Sequence, residues 1–443
     1  MVRMAQCESR TTRNPAPAER PVQQASPLTG TGRIAAPLRF ASPLILLAFV
    51  GPACEDAQRK PAVPESPRPL FEHYKFTVVP WISDADGNEY LLDTASPRTQ
   101  VMPGVIGHGT DYFAERTVET PKIRGIDMSD TPVIVSDALS PAFQNALENG
   151  GQENFGGVIG GDIFARRDFA FDARESRILF GDPLAHLSHV GSGTEIGARL
   201  KGGGSTCLEE TRCYEYGATR WIVDIEVDGI TSAAIVDTAA TYLVASRALI
   251  GRVQRLGGGK TASLRERRPN GDREREIGIF NNVVIGGKIE LNDVGMAVGN
   301  ADLDAGLARL QVETGERVEM LLGQSVLQRF VTEFSVDPPT LKLRQYEPPA
   351  GDPYPVPQTG VGFSFSQTEA CPMVDSIVSG TPVDNSGLHL GDCIVSINGI
   401  EHAEPEWADQ LQGSEPGDVF HIGAERDGVH LDFLAEHVPL LGL

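Results

Sequence analysis

From Tyr74 onward the chain is a succession of short apolar runs rich in Val, Ile, Leu and Phe, cut by turn pairs such as Asp86-Gly87 and Asp228-Gly229. Long stretches of 3.6-residue period are scarce, so the pattern predicts a mainly β protein with short helical patches near 141–148, 246–254 and 407–411. Proline and glycine punctuate this pattern. Pro61, Pro64, Pro67 and Pro69 mark 54–70 as a tether, and Pro348, Pro349, Pro353, Pro355 and Pro357 mark 347–357 as a second one. Gly191, Gly193, Gly202, Gly203 and Gly204 mark 189–205 as a glycine-rich linker. Three folded segments are thereby expected, at 71–188, 206–346 and 358–443. Within the second, the Arg- and Glu-rich stretch 252–275 reads as a solvated hairpin or mobile loop in preference to a binding patch.

The first two segments repeat one another. Leu91-Leu92-Asp93-Thr94-Ala95-Ser96 and Ile235-Val236-Asp237-Thr238-Ala239-Ala240-Thr241 each run an apolar strand into an Asp-Thr-Ala turn. Each is followed downstream by apolar residues and a glycine, Val158-Ile159-Gly160 and Met320-Leu321-Leu322-Gly323. A further echo follows each time, Phe169-Ala170-Phe171-Asp172 and Phe334-Ser335-Val336-Asp337. An isolated Asp-Thr-Ala is ordinarily a capped turn at a strand end. Two copies, each with a matching glycine strand, present one Asp apiece and so build a pair of facing carboxylates. Such a pair cannot ionise twice at close range: one member keeps a proton and serves as acid, the other serves as base on a shared water. Thr94 and Thr238 are placed to hydrogen-bond across to the opposite turn, and Ser96 to donate a hydroxyl to Asp93, which Ala240 cannot do for Asp237. Gly160 and Gly323 would let a strand pass close beneath each turn.

These motifs resemble the pepsin and retropepsin clan of aspartic proteases, and Gly157-Val158-Ile159-Gly160-Gly161-Asp162-Ile163-Phe164 looks more like its retropepsin-like bacterial branch. The resemblance spans about 74–345. It implies two β-barrel lobes related by a pseudo-twofold axis, a substrate cleft between them, Asp93 and Asp237 as the catalytic dyad, and Thr94 and Thr238 bracing it. A flap over the cleft is expected near 109–120, with Tyr112 at its tip or as an ordinary surface tyrosine. The sequence departs from the family at one point: the pattern Asp-Thr-Gly reads Asp-Thr-Ala in both copies, at Ala95 and Ala239. The added methyls fit either a site of unchanged geometry or a retired one.

The last segment carries Gly360-Val361-Gly362-Phe363, then Leu388-His389-Leu390-Gly391-Asp392 and Ile397-Asn398-Gly399. This order resembles a PDZ domain. The resemblance implies that an extended peptide adds as a strand and that the backbone amides at Gly360, Val361, Gly362 and Phe363 hold its terminal carboxylate. The alternative is a small β-domain that merely packs on the lobes.

Composition narrows the context. The 443-residue chain has a formal net charge of −22, which argues against nucleic acid as a partner. Residues 1–53 carry six Arg and two Glu, about +4, which leaves about −26 on the rest. That basic head, the short apolar run 40–50 and the small residues before Cys54 read as a signal peptide over 1–53. Cys54 itself resembles the lipidated cysteine of a bacterial lipoprotein, although Gly51 stands where leucine is usual. Of the six cysteines, Cys207 with Cys213, and Cys371 with Cys393, are positioned as disulfides in an oxidising compartment. A metal site is the alternative, but no His or Cys pairs stand at ligand spacing. The sequence therefore points to an exported periplasmic or cell-envelope aspartic endopeptidase with a membrane tether at Cys54. It would need no cofactor or metal and would take polypeptide substrates in its cleft and a peptide in its PDZ groove. The rival is a pseudo-protease scaffold that binds polypeptide without cutting it.

Overall fold

A computed structural model describes residues 68–69, 79–106, 112–114, 133–135, 154–180, 190–209, 212–267, 271–354, 356–367, 371–404, 406–411 and 414–442. The expected signal 1–53, Cys54, most of the flap segment 109–120 and the helical patch 141–148 lie outside the described residues.

The two sequence repeats fold into the same strand arrangement. In the first lobe the Glu89–Leu92 strand pairs in parallel with Phe155–Ile159, which is antiparallel to Gln100–Val101, which is parallel to Val133–Val135. In the second, Ile230–Val236 pairs in parallel with Val318–Leu322, which is antiparallel to Leu243–Ala245, which is parallel to Ile289–Val298. The sense is the same at every step. Apolar residues on both faces of these central strands explain the order: Leu91 and Leu92, like Ile235 and Val236, are fully or almost fully buried, as parallel strands covered on two sides require.

The third echo joins the lobes. Phe169–Asp172 pairs antiparallel with Phe330–Val336, with Phe169 opposite Phe334, at the middle of a six-stranded sheet. That sheet runs Arg68–Pro69, Arg177–Phe180, Phe169–Asp172, Phe330–Val336, Pro339–Tyr346, Val190–Gly197, so both lobes contribute strands. The rings of Phe169 and Phe334 stack at 4.4 Å and 9°, and Trp221 meets Phe334 at 5.3 Å. One apolar cluster runs through this contact from Leu92, Ile159 and Phe164 to Val236 and Leu322.

Three expectations change. Residues 190–197 and 199–201, expected within a glycine-rich linker, are strands. The glycines serve packing there: a Cβ on Gly193 would meet the side chains of Arg344 and Lys342 at 2.7 Å. The proline-rich stretch after the second lobe is packed down, with Asp352 bridging Arg329 at 2.6 Å, Tyr354 donating to Gln328, and Val356 buried. The segment 301–314, in which no helix is expected, forms the Ala301–Thr314 helix. Its signals are local: Asn300 accepts the Leu303 amide at 2.9 Å as N-cap, Gly315 closes it in the left-handed region, and Leu303, Leu307 and Leu310 face Ile222 and Val318. The helical patch near 246–254 is the Arg247–Arg255 helix, and the patch near 407–411 is a single 3₁₀ turn.

Stretch 252–275 is largely a hairpin, Lys260–Glu266 with Arg273–Ile285, in which Arg265 pairs with Asp384 and Arg275 with Glu266. It forms the seam to the C-terminal module. Leu264 and Arg265 pair antiparallel with Val378 and Ile377, so module and second lobe share one continuous sheet of 14 strands. The Arg267 amide donates to Asp375, the Ser379 amide to Ser263, and Arg265 bridges Asp384. Ala262, Leu264, Ile277 and Ile279 bury against Val378, Leu440 and Leu441. The module is tied internally by a Cys371–Cys393 disulfide. Cys207 and Cys213 are opposite in the Gly204–Glu209 and Arg212–Tyr216 ladder, and Cys213 is disulfide-bonded. Among the described residues no helix is long and apolar enough to cross a membrane.

Leu264→Ala removes the centre of the seam and should cost about 2–4 kcal/mol there. Scanning calorimetry is expected to resolve the C-terminal module as a separate transition in this variant and not in the parent.

Candidate active site

The two Asp-Thr-Ala turns meet where the parallel strand pairs end. The Asp93 amide donates to the Ile159 carbonyl at 3.0 Å, and the Asp237 amide to Leu322 at 3.0 Å, so each turn is fixed to its partner strand in the same way. The threonines then cross-link the lobes. Thr94 Oγ1 donates to the Val236 carbonyl at 2.7 Å and accepts the Thr238 amide at 3.2 Å. Thr238 Oγ1 donates to Leu92 at 2.6 Å and accepts the Thr94 amide at 3.1 Å. Both threonines are buried, so no water competes for these four bonds.

Each carboxylate is held by its own turn. Asp93 Oδ1 accepts the amides of Ala95 at 2.8 Å and Ser96 at 3.0 Å; Asp237 Oδ1 accepts those of Ala239 at 2.8 Å and Ala240 at 3.1 Å. Neither alanine lies in the left-handed region, so the conformation needs no glycine. The methyls pack across the lobe boundary, Ala95 against Ile222, Ile235 and Val318, and Ala239 against Val79, Trp81 and Val158. One expected contact is different: the Ser96 hydroxyl donates to the Arg98 carbonyl at 3.0 Å and not to Asp93. The Ser96 amide already occupies Asp93 Oδ1, and Ala240 supplies the same bond in the other lobe, so the hydroxyl is not required there.

Glycines are needed lower down. A Cβ on Gly160 would meet the Arg98 backbone at 2.5 Å, and one on Gly323 would meet the Tyr242 carbonyl oxygen at 2.1 Å. Just beyond them sit two latches that sequence reasoning missed. Asp162 accepts the Thr99 amide at 2.8 Å and its hydroxyl at 2.7 Å; at the equivalent place Ser325 Oγ accepts the Leu243 amide at 2.9 Å. The signal was the second residue after each repeat glycine, which becomes readable once the repeats are aligned. A buried arginine, Arg220, also went unnoticed, and nothing in its local sequence marks it.

Electrostatics follow from depth. Asp93 is 3% exposed and Asp237 9%. Burial pushes Asp93 above its ordinary value, with the Ser96 and Ala95 amides and the Arg220 charge opposing. Asp237 is pushed up to about 8, first by burial and then by the negative charge of Asp93. The pair therefore keeps a proton to near-neutral pH. Among the described residues no three His, Cys, Asp or Glu side chains converge as metal ligands would.

In the C-terminal module, Gly360 pairs with Val438, Val361 is buried, and Gly362 has φ 84° where a Cβ would meet Thr381 Oγ1 at 2.6 Å. Phe363 opens the Phe363–Gln367 strand, whose ladder partner among the described residues is Pro372–Val378 alone. Phe365 packs on Trp407 at 5.0 Å. Tyr112 lies in the Tyr112–Ala114 strand, paired with Val133–Val135.

Residues 359–436 match the PDZ domain family. Among solved structures the chain is similar to a retropepsin-like aspartic protease from Rickettsia conorii, at 20% identity over 35% of this chain and 96% of that one, with a TM-score of 0.20. It is also similar to an aminopeptidase N family protein from Idiomarina loihiensis, at 19% identity over 20% of this chain and a TM-score of 0.18; the match spans only 15% of that protein's length. No curated protein matches the chain. The fold is mainly β: two lobes of the same strand order joined through a shared six-stranded sheet, followed by a module that matches the PDZ domain family.

Thr94→Val strands a buried carbonyl and a buried amide in the opposite lobe and should cost about 3 kcal/mol in denaturant unfolding. Gly323→Ala drives a methyl into a backbone oxygen and should cost a similar amount, about 3 kcal/mol. The pH dependence has a definite sign. Asp237 binds its proton more tightly folded than unfolded, so the folded state holds the extra proton between 3.8 and about 8. Stability is accordingly lost as pH rises through that window. Asp237→Asn should flatten this loss and raise the Tm of the protein at pH 8.

Proposed function

We propose that the chain is an exported aspartic endopeptidase in which Asp93 and Asp237 activate one water against a peptide carbonyl. The observation that carries this reading is the pair of buried carboxylates, each clamped by two turn amides and brought together by reciprocal threonine bonds, with Asp237 held near 8. One carboxylate ionised and one protonated is the state the chemistry uses. The ionised member takes a proton from water as the oxygen attacks. The protonated member gives its proton to the carbonyl oxygen. As the gem-diol collapses and its C–N bond breaks, the newly protonated carboxyl gives its proton to the leaving amine and the other takes one back from a gem-diol hydroxyl, which restores the starting state without a covalent intermediate. The duplicated segments 71–188 and 206–346 serve as the lobes, and 358–443 as a PDZ domain that takes a peptide along the Phe363–Gln367 strand, its carboxylate at the amides from Gly360 to Phe363. Export through 1–53 and lipid attachment at Cys54 rest on the sequence alone.

The rival reading, a polypeptide-binding scaffold, draws its support from the alanines at 95 and 239. Their amides donate as a glycine's would and their φ angles are unstrained, so the geometry of the turns themselves does not favour that rival.

Cleavage of an unfolded protein is the direct test. Asp93→Asn and Asp237→Asn should each reduce the rate at least about a thousandfold while circular dichroism stays unchanged, because an amide can neither accept nor share the proton. Activity should extend to neutral pH and fall as pH passes about 8, where the second proton is lost. A folded parent chain that cuts nothing between pH 3 and 8 would establish the scaffold instead.

A further inference from the structure

Ladder register makes Arg220 and Val79 equivalent. Trp81 faces Leu91, two residues before Asp93, and Ile222 faces Ile235, two residues before Asp237. Val79 and Arg220 each stand two residues earlier. Their chemistry differs. Val79 lies in an apolar cluster with Ala239. Arg220 is 7% exposed and its guanidinium donates to the Ala95 carbonyl, inside the Asp93 turn. Two further donors are held by Glu313, Nε to Oε1 at 2.9 Å and Nη2 to Oε2 at 3.0 Å. Glu313 comes from the Ala301–Thr314 helix, so that helix fixes where the charge points. Planar, two-pronged pairing of this kind locks orientation in a way a lysine cannot reproduce.

We infer that Arg220 sets the two carboxylates apart, keeping Asp93 as the ionised partner that takes the proton from water and leaving the shared proton on Asp237. The inference rests on the dyad reading above and assigns its two roles. Arg220 is a positioning residue: it touches the turn and not the reacting atoms. Among the described residues, the charged or titratable groups around it include Asp93 and Asp237 themselves, Lys201 on the paired strand, and Tyr216 with Arg98 and Asp162 about it. Glu313 partly cancels the guanidinium charge, and the Ala95 contact directs what remains toward the first lobe's turn. The Arg220 charge opposes the rise of both carboxyls, and its contact with the Ala95 carbonyl places it on the Asp93 turn; burial and the Asp93 charge together still raise Asp237.

Aspartate carboxyl carbons labelled with ¹³C, assigned through Asp93→Asn and Asp237→Asn, report each group's titration by NMR whether or not the protein cuts anything. Asp93 is expected to ionise first and Asp237 last. Arg220→Met should move the first ionisation up by about one to three pH units, and Arg220→Lys by less, because it keeps the charge but loses the planar hook. Should the Met variant fail to fold, Glu313→Gln serves: freeing the guanidinium charge should move the first ionisation down. In an active enzyme the acid limb of the kcat/KM profile should move with the first ionisation. Asp93 titrating last, or a first ionisation unmoved by Arg220→Met or by its substitute Glu313→Gln, would overturn the inference. A chain showing these shifts without cleavage would sink only the protease reading.

Discussion

Four hydrogen bonds between Thr94 and Thr238 and the strands of the opposite lobe are the constraint on which the remaining structure depends. Two buried carboxyls that feel one another's charge repel and resist desolvation, so left to themselves they would drive the lobes apart. The threonine lattice opposes this with buried main-chain bonds that neither lobe can satisfy alone. It draws its donors and acceptors from residues adjacent to each Asp, so any shift of one lobe breaks bonds in both. The stacked Phe169 and Phe334 rings beneath and the shared six-stranded sheet hold the same axis over a longer reach.

The alanines at 95 and 239 show which glycines of such a turn are required and which are replaceable. The turn position asks only for an amide aimed at Oδ1 and a φ that any residue adopts, and alanine supplies both. Its methyl gains a place in the apolar cluster of the facing lobe. Gly160 and Gly323 have no such latitude, because the obstruction there is backbone atoms of the segment that follows each Asp turn, which cannot turn aside as a side chain can.

How much of this could be read in the chain follows from what each element depends on. The Asp turns, their glycine partners and the third echo were legible because each is a local pattern stated twice; that the third echo joins the lobes was not, since pairing of Phe169 with Phe334 is a long-range fact. The 190–197 strand was misread as linker because glycine serves a loop's freedom and a neighbour's bulk alike, and only the facing strand distinguishes them. The Ala301–Thr314 helix carried its cap, its closing glycine and a Leu303, Leu307, Leu310 face, yet its sparse apolar stripe did not stand out against a β-rich background. Arg220 was beyond sequence reasoning altogether. A lone arginine at the head of a strand reads as surface, and only the fold brings Glu313 to it.

Duplication creates a difficulty that the flanking residues resolve. A perfectly repeated site offers two identical carboxylates, while attack by water needs one that accepts a proton and one that gives it. The frame itself stays symmetric: both threonine exchanges, both pairs of turn amides and both glycine crossings repeat almost without change. The differences lie one shell out, with Arg220 against Val79, Asp162 against Ser325, and Ser96 against Ala240. Altering the frame would unseat both carboxylates together, whereas altering what packs around it changes the field at each one separately. Inequivalence can therefore accumulate at these outer positions without cost to the geometry that makes the pair.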